Sequence, residues 1–186
     1  MKKLLFAVMA VALITGAAFA NEEARSEIRL KAGVQIAQDY KADGQDAVDL
    51  KNGLSAGVEI LFPMHEIVKF GLGGEYQFDR GVDKEGVSSE IKHSQIPVYL
   101  TAHIAPFEML KGFYFKANAG WTFYKVKGMP SGDENANGFL WGAGAGYEIK
   151  NFFAEAVYSM YYPKFEDDIK LTNKAIGINA GFRFRI

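Results

Sequence analysis

Phe113-Tyr114-Phe115-Lys116-Ala117-Asn118-Ala119-Gly120-Trp121-Thr122-Phe123 is the stretch whose reading decides the fold. Its odd-numbered residues are all apolar, and those between them, Tyr114 aside, are polar or glycine. Period two with unlike faces marks a strand, because successive side chains leave a pleated backbone on opposite sides. On the apolar face the aromatic rings stand at the two ends and the alanines in the middle. About ten residues is also the length at which a tilted strand crosses a bilayer.

Seven more segments repeat the pattern. Ile28, Leu30, Ala32, Val34 and Ile36 alternate with Arg29, Lys31, Gly33, Gln35 and Ala37. Leu54 to Phe62, Val68 to Phe78 and Ile96 to Ile104 follow. Phe139 to Ile149, Phe152 to Tyr162 and Ile176 to Ile186 complete the set. Connections alternate in length. Pro63 to Ile67, Ala105 to Gly112 and Lys150-Asn151 are short, whereas roughly 80–93, 125–137 and 163–173 are longer and polar. A soluble β-sandwich also alternates, but it has no reason to band its aromatics or to sort its connections by side. The expectation is all-β: an eight-stranded antiparallel up-and-down transmembrane barrel, with tight turns on one side of the membrane and loops on the other.

Phase assigns the faces. Phe62, Phe113 and Phe184 fall at the tight-turn rim. Tyr76, Phe78, Trp121, Phe123, Phe139, Trp141 and Tyr162 form a girdle towards the loop rim, with Ala117, Ala119, Ala143, Ala145 and Ala154 between the two bands. Rings favour both interfaces of a bilayer. Pro97 cannot donate to a ladder, so a bulge or weak pairing is expected there.

The first twenty residues read differently. Lys2 and Lys3 precede an apolar run from Leu4 to Ile14, and Ala18-Phe19-Ala20 offers a cleavage site. Residues 1–20 are therefore expected to be a secretory signal peptide of bacterial form, with residues 21–186 as the barrel domain. A membrane-anchoring helix fits less well, because the run is short and no basic stop follows it. Without Lys2 and Lys3 the chain has 19 basic and 22 acidic groups, a formal charge of −3. That balance points to neither a nucleic-acid binder nor an acidic tail. The absence of cysteine excludes a disulfide scaffold, a thiolate metal site and a lipoprotein anchor. A mean hydropathy of −0.05 is the average of a lipid face and a polar interior.

The chain resembles the small eight-stranded outer-membrane barrel superfamily of the OmpX, OmpA transmembrane-domain and OmpW types. The resemblance rests on Ile96-Pro97-Val98-Tyr99-Leu100, Gly112-Phe113-Tyr114-Phe115-Lys116, Gly142-Ala143-Gly144-Ala145-Gly146-Tyr147, the strand from Phe153 to Tyr158 and the C-terminal strand. It implies a bacterial outer-membrane protein, a monomer with both termini periplasmic. It also implies a C-terminal strand read by the barrel-assembly machinery, usually through a terminal aromatic. Here Phe184 keeps the phase but the last residue is Ile186.

Inward by alternation stand Arg29, Lys31, Lys69, Lys116, Arg183 and Arg185, with Glu59, Glu75, Glu148 and Glu155. An eight-stranded barrel is filled by its own side chains, so these are expected to form an ion-pair plug, a narrow pore being the alternative. At the loop rim Arg80, Lys125, Lys127, Lys164 and Lys174 are candidates for contact with lipopolysaccharide phosphates. Glu90, His93 and Ser94 are the catalytic candidates of a lipid A-modifying barrel. Adjacent strand residues point apart, however, so His93 and Ser94 are read as loop-base residues and no catalytic site is expected. Asp43, Asp46 and Asp49 and the run Glu166-Asp167-Asp168 lack calcium-loop spacing. No metal or cofactor is expected. The leading expectation is a non-enzymatic barrel serving envelope integrity or adhesion through its loops. The alternatives are a narrow channel for small or hydrophobic solutes and a lipid A-modifying enzyme.

Overall fold

The computed structural model describes residues 25–42, 48–81, 92–106, 110–129, 132–164 and 171–186. The expected signal peptide, Glu90, Asp43, Asp46 and the run at 166–168 lie outside them. The alternating segments form β1 (Glu27–Ala42), β3 (Gly53–His65), β4 (Val68–Gly81), β5 (Lys92–Ile104), β6 (Phe113–Met129), β7 (Gly132–Ile149), β8 (Phe152–Lys164) and β9 (Leu171–Arg185). A short β2 (Val48–Leu50) continues the β3 stave along the far end of β1. Every pairing is antiparallel between neighbours, and β1 also pairs with β9, from Glu27↔Arg185 to Ala42↔Leu171. The sheet is thus a closed barrel of eight staves. Closure leaves no edge, which is what lets strands stand in hydrocarbon with their backbone groups satisfied.

The faces follow the phase. Leu54 and Leu100 are each 64% exposed on the outside, and Leu30, Phe70, Ile96 and Phe182 are exposed beside them. Arg29, Glu59 and Lys116 are at most 2% exposed inside. An apolar exterior around a charged interior inverts the soluble pattern and fits a lipid surround. Glycines admit the larger inward rings. A Cβ at Gly73 would lie 2.4 Å from the Tyr99 ring, and one at Gly146 would lie 2.4 Å from that of Tyr114.

Four local features depart from simple alternation. β1 shifts register between Ile36 and Asp39, with Ala37 at φ 49°. Ala37, expected inside, is therefore exposed, and Gln38 takes the inward place. β4 shifts between Gln77 and Arg80, so two residues oppose Ser94 and the phase beyond them reverses. Opposite Pro97 the β4–β5 register carries pairs at Gly74↔Val98 and next at Gln77↔Gln95, the interruption expected of a residue without an N–H. Finally, most of 125–137, expected as a loop, is ladder: β6 and β7 pair out to Met129↔Gly132.

Candidate functional site: the charged lumen

The inward side chains meet in two clusters. At the mouth nearer the short turns, Glu27 accepts from Arg29 at 3.1 Å, Lys69 at 2.7 Å and Arg183 at 3.3 Å, with exposed Arg185 at 4.0 Å. Glu148 lies 2.5 Å from Arg29, 2.6 Å from Arg183 and 3.7 Å from Lys69. The Arg29 guanidinium is sandwiched between the Tyr114 and Phe153 rings, 5.0 Å from each centroid. Cations outnumber carboxylates here.

Deeper in the barrel the balance reverses. The Lys31 ammonium lies 3.0 Å from Glu59, 3.1 Å from Glu75 and 3.3 Å from Glu155. Lys116 bridges Glu59 and Glu155, at 2.5 Å and 2.8 Å. Tyr99 donates to Glu59 at 2.7 Å and Tyr114 to Glu155 at 3.1 Å. The seven side chains come from six staves, so the cluster ties β1, β3, β4, β5, β6 and β8 across the lumen. Removing one partner from such a group strands a charge at low dielectric.

Above this cluster the lining is amide and phenol. Gln35 donates to Glu75 at 2.9 Å, as does Gln77 at 3.1 Å. Gln77 also donates to the Tyr161 hydroxyl at 3.2 Å and accepts from Gln95. A cavity of about 20 Å³ between the layers touches Lys31, Glu75, Tyr99, Asn118 and Tyr161. Tyr124, Leu140 and Tyr161 pack with Tyr99 over it.

The ten residues expected in the lumen thus lie on its wall, nine within the two clusters and Arg185 at the mouth. Glu27 is the carboxylate that the alternation left out. Extending the first segment one residue backwards places it in phase with Arg29 and Lys31. Arg80 corrects the expected rim set: past the β4 bulge it points into the barrel, 4% exposed, and donates to Gln77 at 2.6 Å. Lys125 and Lys164 are exposed on the outer face. Lys127 pairs with Asp79 at 2.9 Å, and Lys174 stands across from Met160. Lys92, not foreseen, is the cross-strand partner of Lys127. The lysines spread over β5, β6, β8 and β9 and do not form one cluster.

His93 and Ser94 are separated by the strand. The His93 ring packs inside against Tyr124, with centroids 5.4 Å apart and planes tilted by 35°, while the Ser94 hydroxyl donates to Asp79 outside. The girdle rings lie on the outer face, where Trp121 donates to Asn137 at 3.1 Å and Trp141 to the Tyr162 hydroxyl at 3.2 Å.

With that geometry in place, the sequence matches the outer membrane protein beta-barrel domain over residues 6–184. The chain belongs to this family. Comparison with curated proteins gives no match. Among solved structures it is similar to Ail, the attachment invasion locus protein of Yersinia pestis, at 21% identity and a TM-score of 0.55, covering 86% of this chain and 99% of that one. It is also similar to Neisserial surface protein A, at 11% identity and a TM-score of 0.56, covering 87% and 97%. The N-terminal barrel domain of Pseudomonas aeruginosa OprF gives 16% identity and a TM-score of 0.51, covering 87% and 99%. At these identities the likeness is one of fold. The family and these neighbours are bacterial outer-membrane barrels.

Proposed function

We propose that this outer-membrane barrel is a non-enzymatic scaffold. Its lumen is closed by the ion-pair network, and its loop end serves surface contact and envelope integrity. The observation that carries the reading is the pair of buried ammonium groups, Lys31 and Lys116, held among Glu59, Glu75 and Glu155 across the middle of the barrel. A continuous water path has no room beside this charge layer, capped by Tyr124, Leu140 and Tyr161. The refolded protein in a planar bilayer is expected to show no discrete conductance steps. Regular openings would replace this reading with the narrow channel.

In this reading both termini and the short turns face the periplasm, and the C-terminal strand is presented to the assembly machinery. The barrel acts as a monomer. The β6–β7 hairpin and the loops stand outside the cell, as variable elements on a rigid frame. Adhesion is supported by the likeness to Ail, whose name is that of an attachment protein and which has been solved with the heparin analogue sucrose octasulfate. Lys125, Lys127, Lys164 and Lys174 lie just beyond the girdle, where lipopolysaccharide phosphates sit. Replacing the four by glutamine is expected to lower barrel stability in bilayers containing lipopolysaccharide and to leave it unchanged in phospholipid alone. Equal stability in both bilayers counts against the contact.

A further inference from the structure

His103 is the buried side chain that the ion-pair network leaves unused. It projects inward from β5, is 3% exposed, and neither ring nitrogen has a hydrogen-bond partner. Its ring is held in place by stacking on Tyr114, with centroids 4.7 Å apart and planes 6° apart. Nε2 faces Glu59 Oε2 at 3.7 Å, and that oxygen is also buried without a hydrogen bond. The other oxygen of Glu59 takes the bonds from Lys31, Lys116 and Tyr99. Two buried polar atoms left facing each other call for a cause.

A separation of 3.7 Å is too long for a hydrogen bond. It is close to the roughly 3.4 Å that separates two ligand atoms each about 2.1 Å from a tetrahedral ion. Glu155 offers a third ligand atom, all three lying within 4.8 Å of one another. We propose that Glu59, His103 and Glu155 form an internal site for one divalent transition-metal ion of the zinc class, built from one imidazole and two carboxylates.

The charge balance is compatible with this. Glu59, Glu75 and Glu155 exceed Lys31 and Lys116 by one negative charge. Lys116 and Tyr99 then become the hydrogen-bonded partners that orient a ligating carboxylate from behind. The site is enclosed, so the ion enters while the barrel closes and stays afterwards.

The test is refolding into detergent with Zn2+, or with Mg2+ as a hard-ion comparison, then gel filtration and elemental analysis. The heat-modifiable gel shift confirms folding of each sample. About one zinc per wild-type barrel is expected and no retained magnesium. H103A and E59Q should each cut zinc retention by about tenfold or more, while H65A, which changes the histidine of an exposed turn, retains it. Should E59Q fail to fold, H103A decides. A zinc-free wild type, equal zinc in wild type and H103A, or loss in H65A instead would each overturn the site.

Discussion

Glu59 concentrates the energetics of the lumen in one carboxylate. It is fully buried, it is bonded by both ammonium groups and by Tyr99, and its charge is what makes those buried cations tolerable. Glu59→Gln keeps the shape and removes the charge. Unfolding in urea from detergent micelles is expected to show a loss of about 3–5 kcal/mol, the cost of stranding a buried partner. A loss below about 1 kcal/mol would mean that the ammonium groups find water or other carboxylates. Gly73→Ala acts on the same cluster by shape, since the new methyl meets the Tyr99 ring that donates to Glu59. Overpacking there is expected to cost about 1–3 kcal/mol by the same measurement.

Elements succeed or fail on register, and this is where the limits of sequence reading lie. The eight staves and their lipid faces are legible because a bilayer demands an apolar side chain at every second position, and the chain writes that demand plainly from Phe113 to Phe123. The β6–β7 extension is not legible, because beyond the girdle neither face needs to be apolar and Lys125, Asn135 and Asn137 carry no period. Bulges are hidden for another reason: two residues opposing one is a property of the neighbouring strand. Hence Arg80 moves from the expected rim into the lumen. Glu27 could have been found, by carrying the phase one residue past Ile28. The charged lumen was therefore read mostly in advance, while His103, inward by phase, gave no sign of facing Glu59 Oε2. At the β7–β8 turn Lys150 holds φ 52°, a conformation that costs a non-glycine residue about 1 kcal/mol. Lys150→Gly is expected to leave stability equal or slightly higher, since its contact to Arg183 uses the backbone carbonyl. A marked loss would show that the lysine side chain contributes at the mouth.

At the scale of the whole molecule, composition, phase and closure amount to one statement. The apolar face of every strand is turned to lipid, and charged, amide and phenol side chains line the other. The chain has no cysteine, so single cysteines can be placed one at a time from Phe113 to Phe123, labelled with an environment-sensitive fluorophore and quenched by spin-labelled acyl chains in vesicles. Strong quenching at 113, 115, 117, 119, 121 and 123, with protection at 114, 116, 118, 120 and 122, is the result expected of a membrane-spanning stave. Quenching absent throughout, or equal at successive positions, would contradict the barrel's placement in the bilayer.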